Sequence, residues 1–230
     1  MGQTIEISWL KVTYQIGFGE FTTFMSDMEE AIQARKNGLE QDFEEQSRGL
    51  DDESKDGLFQ AMYLDDYSTI KESFPNILIR SMIFSCYSFF EAQLKNVCDV
   101  LHRSYRFPPL KKQNFGIIQS KQYLSKDDAL ASLFDGRSWE QIDEIRRIRN
   151  FIVHEGKSVV RAGDEVYAIM QTMSHMINVA PFAASKSSKA QIYTVAFQYE
   201  FVRYMIATFT TFLHQLCTAL DALELKKDIE

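Results

Sequence analysis

Apolar side chains recur every three or four residues over long stretches of the chain, which is the spacing of helices that bury one face. The clearest stretch covers residues 77–106. Its apolar positions form one continuous seam: Ile83, Tyr87, Phe90, Leu94, Val97 and Leu101. A heptad seam predicts a last helix over about residues 193–225: Tyr199, Val202, Ile206, Phe209, Leu213, Leu216, Leu220 and Leu223. Both seams predict helices that pack inside a bundle.

The first 75 residues have a less regular pattern. Residues 5–16 alternate apolar and β-branched side chains, which is compatible with a short strand or an ordered arm. A helical stripe begins after Glu20: Phe21, Met25, Met28, Ile32, Leu39 and Phe43. A second helix follows the polar break at residues 51–54, and we expect Phe74-Pro75 to end it, because proline lacks a backbone N–H. The boundary between an N-terminal helical extension (residues 1–75) and a main bundle (residues 76–230) is predicted there.

The middle of the chain predicts shorter helices and one longer helix with a polar face. A short helix over residues 127–134 is followed by a helix that begins at Ser138, with Gln141 as its capping-box partner, and ends at Gly156. A helical piece over residues 166–177 and a loop through Pro181 precede the last helix. Glycine (10) and proline (4) are scarce, which disfavours a turn-rich β fold. The predicted fold class is all-α, an up-and-down helical bundle.

Composition limits the setting of the protein. With 45% hydrophobic and 25% charged residues, the chain can build a real core. Its three cysteines lie within apolar helical patterns, which is typical of reduced, buried thiols in a cytosolic protein. No signal-peptide pattern and no uncharged stretch of about 20 residues occurs, so we expect a soluble, cytoplasmic protein without membrane contact. The histidines and cysteines share no metal-ligand spacing, and neither a metal nor a cofactor is expected.

The net charge of −7 is unevenly distributed. Residues 1–75 carry 16 acidic and 6 basic side chains, a balance of −10, whereas residues 76–230 carry 16 acidic and 19 basic side chains, a balance of +3. A basic region within an acidic chain can still meet a polyanion such as RNA. A charge split of this kind is, however, more often a solvated helix face, so it carries little weight alone.

The segment Arg149-Asn150-Phe151-Ile152-Val153-His154 is the part of the chain that suggests chemistry. With about 100° of turn per residue, one polar face of its helix carries four side chains: Asp143, Arg147, Asn150 and His154. The expected core face carries Ile142, Ile145, Ile148 and Ile152. Arg149 is expected on the apolar side, where an unpaired charge is very costly. Arg149 and His154 lie about 140° apart around the axis, so they converge only if the helix loosens near Gly156 or if a second copy faces the first across a two-fold axis.

An R-N-x-x-x-H motif on a helix that follows a long helix resembles the motif of the HEPN superfamily. Arg149, Asn150 and His154 match the family's Arg, polar residue and His position by position. The run Tyr87-Ser88-Phe89-Phe90-Glu91-Ala92 is similar to the family's preceding helix, whose acidic residue often sits near the motif, and Glu91 fits that role. The resemblance covers about residues 76–155, with the last helix as a plausible closing helix.

The resemblance implies a HEPN-like bundle that dimerises through the motif helices and cleaves RNA without a metal ion. Many members are endoribonucleases of toxin–antitoxin or antiviral-defence systems. In this chain His154 would move protons, Arg149 would hold the phosphate, and Asn150 would orient His154 or contact the phosphate. The expected products carry 2′,3′-cyclic phosphate ends. Beside the motif, three basic residues are predicted to bind RNA: Arg146, Arg147 and Lys157. RNA and a second copy of the chain are the expected partners, and an antitoxin or a regulatory protein is compatible with this function as a further partner.

Other interpretations of the same residues remain open. Arg149 also fits a core-edge arginine paired with Glu91 or Glu144, and His154 fits a helix C-terminal residue favoured by the macrodipole. The alternative function is a non-catalytic HEPN-like interaction or regulatory module, with the acidic helices of residues 20–73 as the partner surface. A regulator that binds an apolar ligand within the aromatic-rich bundle is a third hypothesis.

Overall fold

Helices account for most of the chain that the structure, a computed structural model, describes. The described backbone comprises residues 2–104, 107–108, 116–155, 158–182 and 191–227, and the side chains of residues 2–5, 104, 154–155 and 224–227 lie outside the description. The helices are α1 (Gly2–Gln46), α2 (Asp52–Leu58), α3 (Leu64–Ser68), α4 (Phe74–Ser104), α5 (Ile117–Leu124), α6 (Asp128–Ala131), α7 (Arg137–Glu155), α8 (Glu165–Thr172) and α9 (Tyr199–Lys227). The strands are β1 (Val159–Arg161), β2 (Ile177–Pro181) and β3 (Ile192–Phe197). The predicted predominance of helix is confirmed.

The long helices α1, α4, α7 and α9 alternate in direction along the chain. Antiparallel pairs are identified by contacts whose residue numbers run in opposite directions: Lys11–Asp221 and Glu29–Arg203 between α1 and α9, Phe18–Phe89 and Arg35–Phe74 between α1 and α4, and Trp139–Phe212 and Glu144–Tyr204 between α7 and α9. Helices α4 and α9 therefore run in the same direction, and they meet where the rings of Phe90 and Phe209 stack at 4.2 Å between centroids. The order of the long helices is up, down, up and down.

Residues 2–46 are helical throughout, so the strand or arm predicted for residues 5–16 is wrong. Helix α1 begins at Gly2 and runs unbroken to Gln46. Within it, Ile7, Leu10, Tyr14 and Phe18 are buried at steps of three and four. Burial of this face against α4 and α9 outweighs the local alternation of apolar and β-branched residues, because tertiary packing routinely overrides propensity.

The helix end predicted at Phe74-Pro75 is also wrong. The backbone stays helical from Asp52 to Ser104, with π-helical turns at Phe59–Tyr63 and Thr69–Ser73. A π turn widens the helix and relieves the clash between a proline ring and the carbonyl four residues earlier, so Pro75 is accommodated directly after the second turn. The extra residue in each π turn also rotates the apolar stripe.

Only some of the apolar side chains of this helical segment are buried. Tyr63 and Ile70 are buried, whereas Met62 is 64% exposed. The hydroxyl of Tyr63 donates a hydrogen bond of 2.6 Å to Asp42 Oδ2 and thereby ties this segment to the end of α1.

One cluster of buried side chains takes members from both sides of residue 75. The α1 residues Tyr14, Phe18 and Met25 belong to the same cluster as Phe90 in α4 and Phe209 in α9. The predicted seams of α4 and α9 are confirmed, since their members are buried or pack against this cluster. The division of the chain into residues 1–75 and 76–230 stays a prediction, but the packing of α1 is continuous with that of the bundle.

A small antiparallel sheet lies between α7 and α9, where a helical piece and a loop were predicted. Its strand order is β1-β3-β2, with Val160 opposite Tyr193 and Val179 opposite Val195. Helix α8 confirms only the first part of the helical piece predicted for residues 166–177, and β3 occupies the residues predicted to begin the last helix. Each strand has six residues or fewer, which is too short for a reliable period-two pattern in the sequence.

Candidate functional site

Helix α7 is held in place by its buried isoleucine face. It begins at Arg137, so Ser138 lies inside the helix instead of capping it. The predicted core face is confirmed, because Ile142, Ile145 and Ile148 are fully buried and Ile152 is 4% exposed. Phe151 is buried as well. This anchoring fixes the position of Arg149 and Asn150 relative to α4.

The guanidinium of Arg149 lies against an aromatic ring of α4. Its central carbon is 5.1 Å from the centroid of Tyr87, within the range of a cation–π contact. Its Nη1 donates a hydrogen bond of 3.2 Å to Asn150 Oδ1, and its Nε is buried without an acceptor among the described residues. The charge of Arg149 was expected in apolar surroundings. It is stabilised there by the ring of Tyr87 and the side-chain amide of Asn150, while at least the Nε donor forms no hydrogen bond among the described residues.

Glu91 is the acidic group that interacts with Arg149. It follows Tyr87 by one turn of α4 and is half-buried. Burial raises the pKa of Glu91 above its usual value, and the nearby charge of Arg149 offsets part of that increase. The other proposed partner, Glu144, interacts instead with Tyr204 on α9. The acid of the preceding helix is therefore near enough to the motif arginine for their charges to interact, and its supporting role stays a prediction.

The ring of Tyr87 is the centre of this cluster. Burial raises the pKa of its hydroxyl above the usual range, Glu91 adds to the increase, and Arg149 and Arg146 act against it. The hydroxyl is therefore protonated at neutral pH, and the side chain serves as a packing group. We define the Arg149 cluster by four residues: Tyr87, Glu91, Arg149 and Asn150.

The start of α5 lies next to the acid of the Arg149 cluster. A Cβ atom placed on Gly116 would lie 3.7 Å from Glu91 Oε1. The Gly116 N–H donates a hydrogen bond of 3.1 Å to Gln119 Oε1, which closes the first turn of the helix. A helix N-terminus carries partial positive charge and favours a nearby carboxylate. Helix α5, which the sequence pattern did not predict, thus contributes to the surroundings of Glu91.

The two arginines before the motif are paired with carboxylates. Asp143 accepts hydrogen bonds of 2.8 Å from Arg146 Nε and from Arg147 Nε, and Arg147 also pairs with Glu165 at the start of α8. Burial would raise the pKa of Asp143, but these two hydrogen bonds more than offset it and the pKa is lowered. Both guanidinium groups are partly exposed. Their predicted role in RNA binding would require the phosphate to share them with Asp143.

Two predicted site residues fall outside what the structure describes. Lys157 is outside the described backbone, and the side chain of His154 is outside the described side chains. The backbone of α7 is helical through Glu155, so the helix does not loosen between positions 149 and 154. These positions are therefore about 140° apart around one axis. Gly156, where a loosening of the helix was predicted to bring the two side chains together, lies outside the described residues.

Thiol and metal chemistry receive no support from the described residues. Cys86, Cys98 and Cys217 are buried free thiols, as predicted, and burial raises the pKa of each to about 12. Such thiols stay protonated and make poor nucleophiles at neutral pH. Within the described part of the chain, no group of three or more His, Cys, Asp or Glu side chains is arranged to hold a metal ion.

Comparison of the chain with known protein families, with curated proteins and with solved structures finds no match. Among the described residues, no helix combines the length and the apolar character needed to cross a bilayer. A functional proposal for this chain therefore rests on the geometry of the Arg149 cluster.

Sequence reasoning missed the contribution of Tyr87 and the network around Asp143. Tyr87 was assigned to the core seam of α4, and the buried ring does belong to that seam while it also supports Arg149. The ion pairs of Asp143 with Arg146 and Arg147 follow from spacings of three and four residues on a helix. That spacing was visible in the sequence, but it was interpreted as a polar face instead of a set of pairs.

Proposed function

We propose that the protein is a metal-independent endoribonuclease of the toxin or antiviral-defence type, with a HEPN-like bundle, that acts as a homodimer. The observation that supports this most directly is the Arg149 cluster. A motif arginine lies against Tyr87, beside Glu91 and Asn150, and keeps an unused buried N–H donor. An arginine held in this way is suited to a phosphate, which accepts paired hydrogen bonds from a guanidinium.

In the proposed reaction, the ribose 2′-oxygen attacks the adjacent phosphorus and the 5′-oxygen of the next nucleotide leaves. His154 of one copy takes or returns the proton, since histidine changes charge near neutral pH. Arg149 of the other copy stabilises the negative charge that builds on the phosphate oxygens. The products are a 2′,3′-cyclic phosphate and a 5′-hydroxyl. Asn150 and Glu91 hold Arg149, and Arg146, Arg147 and Lys157 are proposed to contact the flanking phosphates.

Val153 supports the proposed contact between copies. It lies one helical turn after Arg149, on the same side of α7, and is 42% exposed although it is a large apolar side chain. Across a two-fold axis, the same position of a second copy would bury this side chain. The proposed dimer then brings two copies of the motif together, which one helix alone does not achieve.

The test uses purified protein, a mixed RNA pool and EDTA. The wild-type chain should cleave RNA and leave cyclic phosphate ends, and the His154→Ala variant should lose the activity. His175→Ala is the matched control, because His175 is an exposed histidine outside the cluster. Cleavage that persists in His154→Ala, or that disappears in EDTA, would contradict the proposed mechanism.

A mixing experiment tests the shared site. Arg149→Ala and His154→Ala chains are each expected to be inactive. In a mixed dimer, one of the two sites regains Arg149 from one chain and His154 from the other. About half of the dimers in an equal mixture are mixed, so the mixture should regain roughly a quarter of the wild-type activity. No recovery, with mixed dimers shown to form by mass spectrometry, would place both groups of a site on one chain and refute the shared site.

The non-catalytic HEPN-like module remains the second candidate, because the arginines beside the motif are already paired with carboxylates. Arg146 and Arg147 already pair with Asp143, and Arg147 also with Glu165. Under this candidate the Arg149 cluster is a structural element of the α4–α7 contact. RNA that binds without being cut, or no RNA binding, in the assay above would favour it.

A further inference from the structure

An apolar groove of about 740 Å³ lies between α1 and α4, on the side of α4 away from the Arg149 cluster. Its lining is almost entirely apolar, and three of its large side chains are unusually exposed: Phe24 at 48%, Phe74 at 38% and Ile77 at 64%. Single exposed apolar residues are common, but a concentration of them along one groove indicates a surface that binds something. We call this surface the α1–α4 groove.

The ends of the groove are fixed by close contacts. At one end α1 approaches the ring of Phe89 so closely that a Cβ atom on Gly17 would lie 2.2 Å from it. At the other end, the guanidinium of Arg35 lies 5.7 Å from the ring centroid of Phe74. The α1 side of the groove runs from Gly17 to Ile32, which is about 22 Å of helix. This length equals about four helical turns.

The rim of the groove along α1 is acidic. Glu20 lines the groove, and Asp27, seven residues later, lies about 20° from Glu20 around the helix axis and continues the same edge. Both carboxylates are exposed, and neither forms an ion pair or hydrogen bond within the part of the chain that the structure describes. The guanidinium of Arg35 lies at the far end of the groove. The rim therefore selects for positive charge on the occupant.

We propose that the α1–α4 groove binds an amphipathic helix of a partner protein, with an apolar stripe against Phe24, Phe74 and Ile77 and basic side chains against Glu20 and Asp27. A groove between two antiparallel helices accepts the apolar side chains of a third helix at spacings of three and four residues. The unpaired carboxylates then gain partners at the edge of the interface, where they contribute to orientation and association rate.

The negative charge of the rim favours a basic helix over two other kinds of occupant, a fatty acid and a second copy of the chain. A fatty acid would fill the apolar floor, but its carboxylate would meet the acidic rim. A second copy of the chain would bring an equally acidic face, since residues 1–75 carry a balance of −10. A basic amphipathic helix satisfies both the apolar floor and the acidic rim. This binding surface does not depend on the proposed ribonuclease activity.

The experiment uses designed peptides as probes. A peptide of about 18 residues, about 27 Å long as a helix, carries leucine at positions i, i+3, i+4 and i+7 and lysine on the flanks. A second peptide of the same length replaces each lysine with glutamate. Binding to the full chain is measured by fluorescence anisotropy at low and high salt, with lauric acid as a competitor and with sedimentation to detect self-association. The lysine peptide should bind at least about tenfold more tightly than the glutamate peptide, and salt should weaken it.

Substitutions inside and outside the groove test whether the lysine peptide binds there. Ile77→Glu should weaken the lysine peptide by at least about tenfold, because it places a charge on the apolar floor. Met62→Glu is the matched control, since Met62 is also 64% exposed but lies outside the groove, and it should change the affinity by less than about twofold. The double variant Glu20→Lys, Asp27→Lys changes exposed residues only and should reverse the preference between the two peptides.

The proposal is overturned by any of four results: equal binding of the two peptides, equal losses in Ile77→Glu and Met62→Glu, stronger binding of lauric acid than of the lysine peptide, or self-association of the chain that Ile77→Glu abolishes. Circular dichroism and thermal melting of each variant establish that the fold is retained. If Ile77→Glu proves unfolded, the charge-reversed double variant decides, because it leaves the apolar floor unchanged.

Discussion

Helix α4 carries two very different surfaces on opposite sides. Tyr87 faces α7 and supports Arg149, whereas Phe89, about 200° further around the axis, lines the α1–α4 groove. On the first side, a charge is held in partly buried surroundings by a ring face, an amide and an acid. On the second side, apolar rings are left exposed next to unpaired carboxylates. Both surfaces depart from the usual separation of apolar interior and polar exterior. The first places a charge in partly buried surroundings, and the second leaves apolar side chains exposed.

The contrast indicates two kinds of binding. A partly buried cation with an unused donor is suited to a compact anion that replaces solvent, such as a phosphate. An exposed apolar floor with an acidic rim is suited to a large occupant that covers area. Each of the two surfaces should therefore respond to substitutions on its own side of α4.

The largest expected effect is on the Arg149 side. Arg149→Ala should reduce RNA cleavage by roughly 1,000-fold, about 4 kcal/mol in the barrier, because the charge that stabilises the phosphate is lost. Arg149→Lys should recover only a small part, since an ammonium lacks the paired donors of a guanidinium. Single-turnover cleavage rates measure the loss, with Arg48→Lys as an exposed control. Full activity in Arg149→Lys would mean that the positive charge alone suffices.

The next effect is on the groove side and concerns stability. Gly17→Ala should lower the free energy of unfolding by about 1–3 kcal/mol, because the new methyl group overlaps the Phe89 ring, which is itself packed against Phe18 and Phe21. Gly19→Ala is the matched control. It meets no atom within 4 Å, and it should raise stability by up to about 1 kcal/mol. Urea unfolding of both variants measures the difference, and equal stabilities would contradict the close approach of α1 and α4.

A smaller effect tests how Arg149 is held. Tyr87→Leu removes the ring face and should slow cleavage by roughly tenfold, which matches a cation–π contact of about 1 kcal/mol. Tyr87→Phe keeps the ring and should stay within about threefold of the wild type. The loss should appear in kcat with KM little changed, since Tyr87 positions Arg149 and does not reach the substrate. A similar loss in both variants would assign the effect to the hydroxyl.

The smallest effect concerns the ion pairs of Asp143. Its pKa is lowered in the folded protein, so its ionised form stabilises the fold above the unfolded pKa of about 3.9, and this stabilisation is lost as the pH falls through the lower folded pKa. Asp143→Asn should therefore cost about 0.5–1 kcal/mol at pH 7 and almost nothing near pH 2. Unfolding curves at both pH values measure the difference. A cost that is independent of pH would show that packing of the side chain, and not its charge, matters.

The long helices were the part of the fold that the sequence predicted well. The seam positions Ile83, Phe90 and Leu94 are buried as expected, because a buried helical face leaves a period of about 3.6 residues whatever it packs against. The helix through Pro75 and the three short strands were not predicted. The first depends on a π turn that no local residue type announces, and the second on pairings between residues up to about 35 apart in sequence.

The Arg149 cluster was predicted only in outline. Glu91 was expected beside the motif through a resemblance to a family, and the structure shows that its charge interacts with that of Arg149. The support of Arg149 by Tyr87 required knowledge of how α4 and α7 cross, because the two residues are 62 positions apart. Pairing of Arg146 and Arg147 with Asp143 is local to one helix and was available from spacing alone.

The sequence by itself determined which faces of the long helices are buried, the state of the three thiols and the angle between positions 149 and 154 on α7. These follow from helix periodicity and side-chain chemistry, which act over a few residues. The tertiary structure alone decided which aromatic ring supports Arg149 and which apolar side chains remain uncovered between α1 and α4. Both outcomes depend on how whole helices pack, and the same seam permits several neighbours, so local spacing does not select among them.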